Sequence, residues 1–191
     1  MAKPSSKFLA AQTALGEAVA QSWTIGDYSI AERFDIALAS LATRRGREKD
    51  VTKTASALKL PLPSPSQSSQ GATYGAFWLS PQQWMVEAPF ASHEDIATIL
   101  KSRFGEAASI TDQTDSWVRF DVSGSALEKL FERLSCADLA MAEPGFATRT
   151  VIEHLGCYLV KRALNLITVY GPRSSARSLL HALETAARSI I

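Results

Sequence analysis

Residues 76–88, AFWLSPQQWMVEA, carry two β-rich runs on either side of Pro81. Three residues between such runs form a hairpin turn, and a connection that short joins antiparallel neighbours only. A second tight connection is expected near Leu155-Gly156, between strands at Ala147–Glu153 and Gly156–Lys161, with a further strand at Leu164–Tyr170. Two hairpins of this kind argue against a doubly wound parallel sheet, whose strands need helical crossovers.

Outward from the first hairpin, FDIALASLAT (34–43) reads as helix or strand because alanine dilutes both periodicities, and strand is favoured. EKDVTKTASALKL (48–60) reads as a short helix stopped by Pro61. The Pro/Ser/Gln-rich segment 61–73 reads as a solvated, mobile loop. Ser92 with Asp95 has a capping-box spacing, and Ile96, Ile99, Leu100 and Phe104 recur at helical intervals up to Gly105. A strand follows near Ala107–Thr111. Ser125 with Glu128 opens another helix striped by Leu127, Leu130, Phe131 and Leu134. Residues 135–146 form a loop, and Leu179, Leu180, Leu183 and Ala187 mark a last helix. The order is β-α-β-β-α-β and then β-α-β-β-β-α. The expected fold is α+β, with two related split-βαβ (ferredoxin-like) units and mainly antiparallel sheets. The expected organisation is a flexible arm over 1–24 and a single domain over 25–191, divided into subdomains at about 25–113 and 114–191.

The chain of 191 residues is 46% hydrophobic and 20% charged, enough for an ordinary globular core. Its net charge of +1 supplies no global field toward nucleic acid or membrane, and no apolar run approaches a membrane span. Lys3 and Lys7 precede FLAAQTAL, and Ala18-Val19-Ala20 mimics a cleavage site. Gln12, Thr13, Gly16 and Glu17 interrupt the apolar stretch a signal peptide needs, so a cytoplasmic location is expected. Cys136 and Cys157 are too few for a secreted disulfide framework.

Chemical signatures are sparse. His93, His154 and His181 fall on different elements and lack the convergent spacing of metal ligands. His154 and Cys157 are three apart, a pair that needs a third orienting group before it makes a nucleophile. There is no G-x-G-x-x-G, no P-loop ending and no G-x-S-x-G. Arg44, Arg45 and Arg47 read as a solvated basic turn. Trp78 and Trp84 flank the Pro81 turn and suit both a core and a partner interface. In TDQTDSWVRFDVSG (111–124), strand parity puts Val118, Phe120 and Val122 on a core face and Trp117, Arg119 and Asp121 on the other. Asp112 and Asp115 occupy the bend, where Asp is favoured for bonding local amides. The expected partner contacts are therefore Trp78, Trp84, Trp117, Arg119 and Asp121. No catalytic, cofactor-binding or metal-ligating residue is assigned.

Several segments taken in order resemble the gamma subunit of heterotetrameric sarcosine oxidase. FWLSPQQWMVEAP is similar to that family's W-L-G-P-x-x-W-L hairpin, with Ser80 in the Gly place. TDQTDSWVRFDVSG is similar to its D-Q-S…L-x-L-S-G stretch, with Thr114 in the Ser place, and LSCADL to its C-P-x-D-L, with Ala137 for Pro. PGFATRTVIEHL, YGPRSSARSLLHAL and the weaker RRGREKDV complete the resemblance over residues 30–190. What the resemblance implies is a fold like the folate-binding domain of the glycine-cleavage T-protein. It further implies a noncatalytic structural subunit of an oxidoreductase complex that converts sarcosine to glycine, formaldehyde (or methylene-tetrahydrofolate) and hydrogen peroxide. On that basis alpha, beta and delta subunits are the expected partners. They would carry the FAD, FMN, NAD, tetrahydrofolate and zinc, and this chain would bind no cofactor. The equivalent subunit of N-methylglutamate dehydrogenase is a close variant. A free-standing folate-binding protein using Asp112 or Asp121, and a thiol enzyme using Cys157 and His154, are the rival readings.

Overall fold

The computed structural model describes residues 11–191. In chain order the elements are β1 (Ser22–Ile25), β2 (Tyr28–Arg33), β3 (Ile36–Thr43), α1 (Glu48–Ala57), β4 (Ser68–Gln70), β5 (Gly75–Ser80), β6 (Gln83–Pro89), α2 (Phe90–His93) and α3 (Ile96–Phe104). They continue with β7 (Ala108–Asp112), β8 (Trp117–Ser123), α4 (Leu127–Glu132), β9 (Ala147–Ile152), β10 (Leu155–Ala163), β11 (Leu166–Pro172) and α5 (Ala176–Arg188). The strands form a five-stranded sheet, β4-β5-β6-β3-β7, and a six-stranded sheet, β1-β2-β8-β11-β10-β9. Every strand pairing is antiparallel. This is the expected α+β class with two ferredoxin-like units.

The five-stranded sheet is a split-βαβ unit in its ordinary chain order: β3, α1, β5, β6, α3, β7, with β4 added at one edge. Its counterpart runs β8, α4, β10, β11, α5 and then lacks the fourth strand, which must lie beside β8. The N-terminal strand β2 fills that place, with Ile30 opposite Val122 and Arg33 opposite Arg119. The second unit is thus circularly permuted. The expected boundary near 113 is only half of the division: residues 36–112 build one sheet, while 22–33 join 117–172 in the other. TIGDYSIAER alternates only weakly, so its hairpin is not legible in the local pattern.

Strand parity sorts the side chains into three cores. Val118, Phe120 and Val122 pack with Leu159, Ile167 and Val169 against Leu130 and Phe131 of α4 and Leu179 and Leu183 of α5. On the other sheet Leu41, Trp84 and Val86 meet Val51 of α1 and Ile96, Leu100 and Phe104 of α3. Between the sheets lie Leu38, Phe77, Met85, Val160 and Tyr170, with the Phe77 and Tyr170 rings stacked at 5.4 Å. The molecule is therefore layered helix, sheet, sheet, helix. Each fully buried large side chain contributes about 1.5–3 kcal/mol relative to exposure.

Several local expectations change. Residues 1–10 of the expected arm lie outside the described residues. From residue 11 onward the segment is anchored: Thr13 and Leu15 are buried, and the Glu32 carboxylate accepts from the Leu15 N–H at 3.2 Å. Segment 61–73 is not a free loop, because Trp84 Nε1 donates to Pro63 O at 2.8 Å and Ser68 N–H donates to Gly145 O at 2.6 Å. The 92–95 and 125–128 boxes do not form. Asp95 and Ala126 occupy the N-cap positions, neither with a side-chain cap bond. Gly105 does end α3, at φ 51°, where the left-handed region favours glycine.

Candidate functional site

The chemically dense region lies between the two sheets. Because β8 alternates, placing Val118, Phe120 and Val122 against the helices turns Trp117, Arg119 and Asp121 toward the opposite sheet. Register sets Tyr170 beside Arg119 and Thr168 beside Asp121. From across the gap β6 contributes Glu87, and β10, in the same sheet as β8, contributes Arg162.

These groups satisfy one another. Arg119 donates to Asp121 through Nε (2.9 Å) and Nη2 (3.0 Å), and the Thr168 hydroxyl donates to the same carboxylate at 2.7 Å. Arg162 donates to Glu87 at 2.5 Å, and the Tyr170 hydroxyl donates to the same Glu87 oxygen. A longer contact of 4.0 Å joins Arg119 to Glu87 and couples the two pairs. Side-chain exposure is 4% for Glu87, 11% for Asp121 and 15% for each arginine, so the charges are screened little by solvent. Burial opposes the charged guanidinium of Arg119, but its neighbours, the Asp121 and Glu87 carboxylates among them, outweigh it and hold the group above its ordinary value. Burial first, and then the Glu87 carboxylate, raise the Tyr170 phenol, keeping it protonated. The Asp121 carboxylate accepts through both oxygens, Glu87 accepts two donors on Oε1, and both guanidiniums are locked in pairs. Chemically this is a neutralised clamp that ties one sheet to the other.

Gly75 makes room for the clamp. It sits opposite Glu87 in the β5–β6 pairing, and a Cβ there would lie 2.9 Å from Glu87 Oε2 and closer still to Gln70 Oε1. Gln70 is exposed and can move away, whereas Glu87 is held. Gly75→Ala is expected to cost about 1–3 kcal/mol in urea denaturation; an unchanged midpoint would mean that the carboxylate is not held there.

The structure redistributes the residues singled out in the sequence. Arg119 and Asp121 spend their charge inside the chain and are not a free partner surface. Half-buried Trp117 donates to Gln113 Oε1 at 3.1 Å and packs edge-on against Tyr158. Trp78 and Trp84 are direct cross-strand neighbours, as the hairpin requires, and both pack against the α1–α3 core, Trp84 being buried. Asp112 accepts from the Thr114 N–H at 3.0 Å, the local role expected of a bend aspartate. Glu87, Arg162 and Tyr170 were not anticipated. The available signal was a charge sharing strand parity with Met85, in a run otherwise apolar from Trp84 to Ala88.

Cys157 does not support thiol chemistry. It is fully buried, burial pushes its thiol up to about 11, and His154 projects from the β9–β10 turn at φ 68°. Cys136 is exposed. Brief iodoacetamide treatment of the native chain should add one carbamidomethyl group by mass, and treatment after unfolding two; two rapid additions to the native chain would contradict this. Among the described residues no group of three or more His, Cys, Asp and Glu side chains converges as a metal site, and no helix is long and apolar enough to cross a membrane.

The clamp opens at one end into a cavity of about 420 Å³, whose lining includes Glu32, Arg33, Phe34, Phe90, Arg119 and Arg173. No family model matches the sequence, and no curated protein matches it. Solved structures do match the fold. A chain of the heterotetrameric sarcosine oxidase from Corynebacterium sp. U-96, solved with pyrrole 2-carboxylate, superposes with a TM-score of 0.75 at 16% identity, covering 85% of this chain and 84% of that one. The glycine cleavage system aminomethyltransferase T from Bartonella henselae gives 0.59 at 13% identity over 82% of this chain, which spans 48% of the aminomethyltransferase. The near-equal coverage in the first comparison means that the two chains are similar in length. The chain thus shares its fold with a chain of a heterotetrameric sarcosine oxidase and with the aminomethyltransferase of the glycine cleavage system.

Proposed function

We propose that this chain is the gamma subunit of a heterotetrameric sarcosine oxidase. In this reading it is a noncatalytic subunit that supports assembly of the flavoprotein subunits and carries no cofactor itself. The observation that carries the reading is the fold match over 85% of this chain and 84% of a chain of such an oxidase. Its support is the clamp: Glu87, Asp121, Arg119 and Arg162, the charged side chains between the two sheets, pair with one another and hold the sheets together. FAD, FMN, NAD, tetrahydrofolate and zinc would then reside in the alpha, beta and delta partners, in the cytoplasm.

Omission from co-expression tests this role. Leaving out this chain should lower sarcosine-dependent hydrogen peroxide formation by the recovered flavoprotein subunits at least about tenfold, as loss of an obligate interface does. Full activity without it would remove the assembly role. Comparing sarcosine with N-methylglutamate, using oxygen and an artificial acceptor, separates the oxidase from a related N-methyl amino-acid dehydrogenase.

The aminomethyltransferase likeness favours one second reading, a free-standing folate-binding protein. Both oxygens of Asp121 are engaged by Arg119 and Thr168, and Asp112 lies at an exposed bend outside the cavity lining, so neither carboxylate is placed to hold a pterin ring in that cavity. Calorimetry of the isolated chain with tetrahydrofolate should show no saturable heat.

A further inference from the structure

We infer that the cavity at the open end of the clamp is a binding site for a small amino acid with an apolar side chain. The inference stands apart from the proposed assembly role.

Glu32 carries it. This residue is 3% exposed; Oε1 accepts from the Leu15 N–H, while Oε2 has no partner among the described residues. A buried carboxylate oxygen left bare costs its full desolvation, so the site calls for a donor, and a cationic N–H is the strongest one. Glu32 lines the cavity.

Cationic capacity lies in the same cavity. Arg33 is held by Asp35, and Arg119 by Asp121, each through two nitrogens. Arg173 is different. It donates to Gln12 O at 3.0 Å, and its only carboxylate neighbour among the described residues is Asp115 at 3.5 Å, a side chain that is 90% exposed. Such an exposed, stretched pair contributes little and yields readily to a ligand carboxylate. Phe34 is 58% exposed at the rim, and Phe90 and Ile36 complete an apolar wall. The roof is the 12–15 segment, fastened by Arg173 to Gln12 O and by Arg177 to Leu15 O at 2.9 Å. The volume lies in the range of small-ligand pockets. An ammonium on Glu32, a carboxylate on Arg173 and an apolar body against Phe34 and Phe90 meet each of these features.

Isothermal calorimetry on the full chain tests the assignment with L-phenylalanine and L-leucine as probes. Phenylalaninamide, which lacks the carboxylate, and N-acetyl-L-phenylalanine, which lacks the ammonium, are the controls. Saturable binding of at least one free amino acid is expected, with each blocked compound weaker by about tenfold or more. Glu32→Gln keeps an acceptor for Leu15 and should weaken binding by a similar factor. Arg173→Gln, at a partly exposed position away from the core, provides a second variant if Glu32→Gln unfolds. No saturable heat at millimolar amino acid overturns the assignment, showing that water alone fills the cavity. Equal affinity for the blocked compounds, or unchanged affinity in Arg173→Gln, overturns it as well.

Discussion

Glu87→Ala is expected to destabilise the chain by about 3–5 kcal/mol, the cost of removing one partner from a buried ion pair. For a chain of this length that corresponds to a fall in melting midpoint on the order of 10 °C. The loss is large because the carboxylate serves three groups together. Arg162 donates to it at 2.5 Å, the Tyr170 hydroxyl donates to the same oxygen, and Arg119 lies 4.0 Å away. Without it, Arg119 keeps Asp121, whereas Arg162, at 15% exposure, loses the one carboxylate it meets among the described residues. Replacing Glu87 and Arg162 together by leucine and methionine should recover much of the loss, because apolar residues of similar volume often match a buried pair. A loss below about 1 kcal/mol in Glu87→Ala would place the clamp among ordinary surface pairs.

The same cluster sets an alkaline limit. The Tyr170 phenol is raised above its ordinary value of 10.0, by burial and then by Glu87. Its folded-state value therefore exceeds its unfolded one, and the protonated form stabilises the fold. That contribution is complete below pH 10 or so and is lost as pH rises toward the folded value. Urea midpoints of Tyr170→Phe should be lower than wild type at neutral pH and fall less steeply above pH 10 or so. Parallel pH profiles for the two proteins would contradict the assignment.

Deleting residues 1–33 is the second change with a large expected effect. It removes β1 and β2, leaves β8 as an open edge over the pairs Ser29–Ser123 to Arg33–Arg119, and uncovers the core beneath Tyr28, Ile30 and Leu15. Three such side chains at about 1.5–3 kcal/mol each, together with a central strand, rival the 5–15 kcal/mol that stabilises a typical domain. The truncated chain should lose its cooperative thermal transition. The permuted topology also predicts a rescue. Ile191 Cγ2 lies 2.6 Å from where a Cβ on Gly26 would be, so the C-terminus abuts the β1–β2 turn. A variant beginning at Asp35, with residues 22–33 appended through a Gly/Ser linker as long as β1, should regain a cooperative transition. A sharp transition in the truncated chain itself would refute the account of the second unit.

Sequence periodicity made much of this fold legible. AFWLSPQQWMVEA carries its turn and its alternation openly, and it forms the β5–β6 hairpin with Trp78 opposite Trp84. The stripes on α3, α4 and α5 are likewise local patterns and were read directly. The place of β2 is a nonlocal fact. Nothing within residues 28–33 says that the strand completes a unit whose other members begin after residue 116. The clamp was half legible for the same reason. Parity separated Trp117, Arg119 and Asp121 from the core row, but a row facing another sheet and a row facing solvent look alike until the opposing strands are placed. Glu87 and Arg162 lie 75 residues apart and meet only because the two sheets stack.

Stoichiometric co-purification decides whether this chain belongs to a flavoprotein complex. The chain would be co-expressed with the flavoprotein oxidase subunits of its own genome neighbourhood, captured through a tag on the largest partner, and resolved by size exclusion and native mass spectrometry. One copy of this chain in each assembled, flavin-containing complex is the expected result. Elution of this chain alone, while the remaining subunits form active enzyme without it, would contradict the account.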